Sequence, residues 1–350
     1  MALVYLTPFE SSSNEYINII RNLIKEEEHV VRPLQPKSLR AKDYLTFFKA
    51  DTFVVYHWVE SISFKERNKG IAFSFSGFLK WIFYYLIALL GRARVIYFIH
   101  NHAVHDSKGL SRRFSSLLIS IFSKAADVRI VHDPGCCEKY NAVYVPHPLY
   151  SNYAEEPKGS EAIVNTTLSR VLDEIKQPLY SIIGAIRPYK KIEDILQLWP
   201  SNQSLLIAGK ASPEYLKYLQ NIIDDRNISS LVKIYSSFLN KAELNLILRI
   251  SSCIILPHEA GTGLVSGAFF EAIGSGCSVI TRSSPFTRTM AETIPEIFNF
   301  EVAEDIPGIL ALRQKNGNAA TIKVTIRESA EASFGDTPCR EFLKRAMEID

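Results

Sequence analysis

The sequence predicts an α/β protein made of two doubly wound, mainly parallel sheets. Short apolar runs alternate with longer helix-like stretches along the chain. Many of those runs are apolar throughout instead of alternating, as strands covered on both faces are. The pattern occurs twice in 350 residues, a length that suggests two cores.

In the first half the expected strands are "ALVYLT", "TFVVYHW", "RVIYFIH", "VRIVHD" and "AVYVPH". In the second half they are "LYSIIGA", "SLLIAG", "VKIYSS", "CIILP" and "CSVIT". Helical patterns lie between them, among them "SNEYINIIRNLIKEEE", "GFLKWIFYYLIALLG", "SRRFSSLLISIFSKA", "PEYLKYLQNIIDD", "NKAELNLILRI" and "SGAFFEAIG". Strands alternating with helices of this length build βαβ units. Residues 151–167 are polar and contain Pro and Gly, which fits a linker between a domain at 1–150 and another at 168–335. The tail from 318 begins polar and ends in a helical pattern.

Composition is that of an ordinary globular chain, with 47% hydrophobic and 22% charged residues. The net charge of +3 is unevenly spread: residues 1–150 carry 19 Lys+Arg against 13 Asp+Glu, and residues 151–350 carry 21 against 24. A basic first half suits an anionic partner such as phosphate or membrane headgroups. No nucleic-acid motif accompanies it, so nucleic acid is not an expected partner. The five cysteines include no C-x-x-C and fit a reducing compartment. The N-terminus lacks the charged start and long apolar core of a signal peptide, and a cytoplasmic location is expected. "WIFYYLIALLG" is too short to span a bilayer. The segments 71–94 and 111–124 fit helices packed on a sheet, and their basic-flanked apolar sides also fit peripheral contact with the inner face of the plasma membrane.

In doubly wound sheets ligands bind beyond the carboxyl ends of the strands. The residues there divide by character. First-half loops offer His57, Trp58 and Glu60, then His100, Asn101, His102, His105 and Asp106, then His132, Asp133 and His147. Imidazoles and carboxylates suit proton transfer and the gripping of hydroxyls. Second-half loops offer Arg187, Lys190, Lys191 and Lys210, then the glycine-rich "GTGLVSG" opening a helix that carries Glu271. Cations, bare backbone and a helix start suit phosphate. No metal site is expected, because no histidine pair has helical ligand spacing with a clear third ligand. "GTGLVSG" is not a dinucleotide fingerprint, since it lies far from the first βα turn and its next strand ends in Arg282 instead of a ribose-binding acid.

These segments, in this order, resemble a GT-B glycosyltransferase of the family 4 type that builds exopolysaccharide, capsule or O-antigen. "IIGAIRPYKKIEDIL" is similar to the family's G-x-I-R-x-Y-K-G segment, and "HWVES", "IHNHAVHD" and "TGLVSGAFFEAIGSGCSVI" match further segments. The resemblance covers roughly residues 1–300 and implies two Rossmann-like domains with a cleft between them. It implies that 336–350 is a C-terminal helix packing back on the first domain. It also implies a hexosyltransferase that needs no cofactor beyond its donor substrate, a nucleotide diphosphate sugar. GDP-mannose is the first guess and a UDP-sugar the next. The acceptor would be a glycan or lipid-linked saccharide.

By the same resemblance Lys190, assisted by Arg187 and Lys210, would meet the donor diphosphate. Thr262, Ser266 and Gly267 would cradle the phosphates, and Glu271 would hold the ribose hydroxyls. His57, Trp58 and Asn101 would bind the acceptor. If the reaction inverts, Asp106 is the first candidate base, followed by His105 and Glu60; if it retains, His100 would contact the transferred sugar. The sequence departs from the family at Gly263, where many retaining members carry a first glutamate, and at Lys191, where a glycine is usual. A GT-B-type nucleotide-sugar epimerase and a non-catalytic nucleotide-sugar or glycan-binding protein are the alternatives.

Overall fold

The computed structural model describes residues 1–11, 15–67, 70–104, 107–150, 166–258, 264–313 and 319–348. The chain forms two compact units. The first comprises Met1–Tyr150 and Ser333–Asp350 and takes in Leu264 and Val265; the second comprises Ser151–Ala260 and Ser266–Ala332.

The first unit contains the strands β1 (Leu3–Thr7), β2 (Val30–Pro33), β3 (Thr52–His57), β4 (Phe64–Arg67), β5 (Gly70–Phe73), β6 (Arg94–Phe98), β7 (Val128–Val131) and β8 (Val143–Tyr144). Its helices are α1 (Tyr16–Glu26), α2 (Ala41–Thr46), α3 (Phe75–Leu90), α4 (Gly109–Ala125) and α5 (Cys137–Tyr140). Six strands form a parallel sheet in the order β2-β1-β3-β6-β7-β8, while β4 and β5 form a separate antiparallel hairpin. The core gathers Tyr5, Val54, Tyr56, Trp81, Tyr84, Tyr97 and Phe122. Buried tyrosines are tolerated there because their hydroxyls find acceptors: Tyr56 donates to Tyr84 O at 3.1 Å and Tyr84 to Leu34 O at 3.0 Å.

The second unit contains β9 (Leu179–Ile183), β10 (Ser204–Ala208), β11 (Val232–Tyr235), β12 (Ser251–Leu256), β13 (Ser278–Arg282) and β14 (Ile297–Phe300), all parallel, in the order β11-β10-β9-β12-β13-β14. Its helices are α6 (Thr166–Asp173), α7 (Ile192–Leu198), α8 (Pro213–Asp225), α9 (Lys241–Ile250), α10 (Gly267–Gly274), α11 (Pro285–Thr293) and α12 (Ile306–Arg313), and α13 (Ala319–Phe334) follows. β9 and β10 are buried at every position, which explains their unbroken apolar character. Helix starts are written locally. Ser212 accepts from Tyr215 N ahead of Pro213, and Asn240 and Glu243 form a reciprocal capping box. The last helix, α14 (Asp336–Glu348), packs on α1 in the first unit, where Arg340 pairs with Glu26 at 3.3 Å and Lys344 with Glu27 at 3.3 Å.

Several elements differ from the sequence expectation. β2 and β14 are four-residue edge strands that the apolar runs do not announce. "AVYVPH" contracts to Val143–Tyr144, because Pro146 has no N–H with which to continue an edge ladder. The polar start of the tail is helical, as α13.

The strand orders fix where ligands can be met. The first sheet reverses direction between β1 and β3, and the second between β9 and β12. At such switch points the connections leave to opposite faces and open a crevice beyond the strand ends. β3 ends at His57, followed by Trp58, and β9 ends at Ile183, followed by Gly184.

Candidate functional site

In the first unit the strand ends carry a buried aromatic and imidazole cluster around Tyr16, the first residue of α1. The Tyr16 ring meets His57, Trp58, His100 and His132 edge-on and His147 at a tilt, with centroids 4.9 to 5.5 Å away. Hydrogen-bond chemistry fixes the tautomers. Val145 O can only accept, so His132 Nδ1 donates to it at 2.7 Å. His132 Nε2 is therefore bare and accepts from the Tyr16 hydroxyl at 2.6 Å. His147 Nδ1 likewise donates to Pro148 O at 2.8 Å. His57 Nδ1 and His100 Nε2 share one proton across 3.0 Å.

Burial lowers the pKa of all four imidazoles, that of His132 to about 4, so the cluster is neutral at pH 7. His57 is only 1% exposed and stacks on Phe98. Its ring also packs against that of His100, with centroids 5.2 Å apart. Trp58 is half-buried, adopts a left-handed backbone at φ 46°, and stacks on His100 with centroids 4.2 Å apart. That conformation is uncommon for a bulky residue. It turns the chain sharply out of β3.

Glu60 is also 1% exposed, and its Oε2 accepts from the Tyr97 hydroxyl at 2.8 Å. Burial raises its pKa, opposed by hydrogen bonds that include those from Tyr97 and the Asn101 side chain. A carboxylate so enclosed orients Asn101. His102, on the same loop, lies 2.5 Å from the Tyr140 hydroxyl and 3.1 Å from Lys139 Nζ. His105, Asp106 and Thr262 lie outside the described residues.

In the second unit Lys190 folds back over the end of β9. Its Nζ donates to Ile183 O at 2.9 Å and would stand 3.2 Å from a Cβ built at Gly184. The residue is half-buried, and desolvation of its ammonium lowers its pKa from 10.5 to about 8. Among the described residues no carboxylate forms an ion pair with it. Gly184 (φ +88°) and Gly209 (φ +152°) bring the ends of β9 and β10 together; a Cβ at Gly209 would lie 1.9 Å from Gly184 O. Arg187 precedes the short turn holding Lys190, and Lys191 leaves it in a left-handed conformation at φ 53°. Lys210 is exposed, and its carbonyl accepts from Ile186 N at 2.9 Å.

Ser266 is the N-cap of α10 but makes no side-chain hydrogen bond to the helix. Gly267 opens α10, and Glu271 sits half-buried one turn on. Arg282 is held by Pro257 O at 3.1 Å, by Asp194 at 3.6 Å and by the Phe300 ring. No group of three or more His, Cys, Asp or Glu suited to a metal ion occurs among the described residues.

The structure thus joins His57, Trp58 and His100 in one contact group, and Glu60 and Asn101 in another. Sequence reading overlooked Tyr16 as their common support. Its signal was slight, a lone aromatic opening the helix after the first strand. Gly184 and Gly209 were visible only as strand-terminal glycines.

No protein-family model and no curated protein matches the sequence. Solved structures do match in three dimensions. Anabaena HepE, crystallised with UDP and glucose, aligns over 100% of both chains at 12% identity with a TM-score of 0.69. The chain has the GT-B fold. Sucrose-phosphate synthase from Thermosynechococcus elongatus aligns with it over 99% of this chain and 98% of its own, at 12% identity and a TM-score of 0.64. WaaG, a glycosyltransferase involved in lipopolysaccharide biosynthesis, aligns over 100% and 99%, at 14% identity and a TM-score of 0.58. The two parallel six-stranded sheets are the two Rossmann-like domains of that GT-B fold.

Proposed function

We propose that this chain is a glycosyltransferase that draws a hexose from a nucleotide diphosphate sugar and passes it to a glycan or lipid-linked saccharide. The observation that carries the reading is the Lys190 ammonium, held on a backbone carbonyl at the switch point of the second sheet without an ion-pair partner among the described residues. A desolvated cation beside bare glycine backbone gains most from a ligand with dense negative charge. The second unit is the donor side. Lys190, with Arg187 and Lys210, neutralises the diphosphate as it leaves, when its charge grows. The start of α10 at Ser266 and Gly267, with Thr262, adds backbone N–H donors, and Glu271 takes the ribose hydroxyls.

The first unit is the acceptor side. Trp58 offers a ring face, and His100 and Asn101 offer polar edges that Tyr16, His57 and Glu60 hold in place. Asp106, with His105 behind it, remains the proposed base for an inverting course, and His100 the sugar contact for a retaining one. HepE was crystallised with UDP and with UDP-glucose, which sets a uridine donor beside GDP-mannose as the first pair to test.

The test is a thermal-shift titration with UDP, GDP, dTDP and CMP, followed by incubation with the matching sugar donors. One nucleotide is expected to raise the melting temperature in a concentration-dependent way, and Lys190→Ala to abolish the rise. Absence of a shift with all four nucleotides rejects the donor reading. A new sugar isomer formed from donor alone would make the enzyme an epimerase.

A further inference from the structure

We infer that the outer face of α3, with the adjoining flank of α4, is a docking surface for an anionic lipid bilayer. This goes beyond the donor reading and does not depend on it. The buried side of α3 is formed by Gly77, Trp81, Tyr84 and Ala88. The opposite side ought to be polar in a helix that only covers a sheet. Instead Phe75 (68% exposed), Leu79 (51%), Leu86 and Leu90 (63%) recur there at four- and seven-residue spacing. The apolar surface continues onto α4. Phe114 lies 5.6 Å from Phe73 and 5.9 Å from Phe78 between ring centroids, which sets that flank of α4 beside α3. Leu110 (82% exposed) and Leu117 extend the same stripe. Scattered exposed leucines are normal, but a contiguous apolar face across two helices marks an interaction site.

Charge identifies the occupant. Neither α3 nor α4 contains an Asp or Glu. Lys80, Arg113 and Lys124 are exposed at the edges of the apolar surface, and Lys108 precedes α4. A second copy of this chain laid on the same face would bring these cations together with no carboxylate on either helix to offset them. An anionic headgroup layer satisfies them while acyl chains receive the leucines and Phe75. No helix among the described residues is long and apolar enough to cross a membrane, so the surface lies on the bilayer and does not span it.

The experiment is flotation of the full chain with vesicles of phosphatidylcholine containing about 30 mol% phosphatidylglycerol, against pure phosphatidylcholine, at low and at about 0.5 M salt. The expected result is binding to the anionic vesicles that weakens with salt. Two double variants are compared, Leu79→Glu/Leu86→Glu and Arg113→Glu/Lys124→Glu. All four positions are exposed or polar-facing, and each variant is checked for an unchanged thermal unfolding profile. Each double variant is expected to lose at least about tenfold in vesicle partitioning. Wild-type protein that stays with the buffer, or that binds pure phosphatidylcholine equally well, overturns the inference. So does Leu79→Glu/Leu86→Glu binding undiminished, or the same variant converting a wild-type dimer to a monomer while vesicle binding is absent. Nucleotide-induced thermal shifts on the same variants are expected to stay at the wild-type value. Their loss alone would bear on the donor reading and not on this surface.

Discussion

If Lys190 meets a diphosphate, nucleotide binding should draw a proton from solution at mildly alkaline pH. The ammonium is held in a desolvated position with a pKa of about 8, against 10.5 in water. That difference corresponds to about 3 kcal/mol of desolvation that no counter-charge among the described residues offsets. A diphosphate charge at about 4 Å contributes on the order of 4 kcal/mol at an effective dielectric near 20, enough to return the pKa to its usual range. At pH 8.5 the free protein carries Lys190 about three-quarters neutral and the complex almost fully charged, so about 0.7 proton should be taken up per nucleotide. At pH 7 the uptake should fall below about 0.1, and from pH 7 to pH 9 the affinity should weaken roughly tenfold.

The assay is isothermal titration calorimetry with UDP and GDP in two buffers of different ionisation enthalpy, for wild type and Lys190→Met. Above pH 8 the phosphates are themselves fully ionised and add nothing to the count. Binding without proton uptake at pH 8.5 would refute the reasoning, because the ligand would then not be meeting this ammonium. The sign for folding follows from the same shift. The unfolded chain holds this proton more tightly between pH 8 and 10.5, so Lys190 costs stability below pH 8 and the cost fades as pH rises through that window.

Two further outcomes are expected. His57, His100, His132 and His147 have folded pKa values below their usual 6.5, so the unfolded chain binds their protons first; stability is present above about pH 6.5 and is lost as pH falls toward 4, by up to about 3 kcal/mol for His132 alone. Melting temperature followed from pH 7 to pH 5, above the range where exposed carboxylates titrate, should fall steadily in a Glu60→Gln background, where the raised pKa of Glu60 no longer contributes, and a flat profile there would contradict the buried neutral cluster. Gly209→Ala would set a Cβ 1.9 Å from Gly184 O at a backbone angle unfavourable to alanine. It should cost at least about 2 kcal/mol in denaturant unfolding and weaken nucleotide binding, and wild-type behaviour in both would show that the β9 and β10 ends can part.

The sequence by itself determined the class of fold and much of the chemistry available to it. Unbroken apolar runs such as "LYSII" and "SLLIA" reveal strands buried on both faces, because solvent would demand alternation. The division of the strand-end loops, imidazoles in the first half and cations with glycines in the second, is likewise plain in one dimension. Only the tertiary structure decided which of those groups meet. Edge strands such as β2 and β14 are stabilised by neighbours distant in sequence, so their local pattern is weak. His57 and His100 are 43 residues apart and Tyr16 and His132 are 116 apart, yet each pair shares a hydrogen bond. Whether a histidine faces a ligand or supports one that does depends on burial, which turns on what packs above the strand end. The same holds for Lys190. Its residue type and spacing mark it as a cation near the end of β9, but its lowered pKa arises from desolvation, which no run of neighbouring letters encodes.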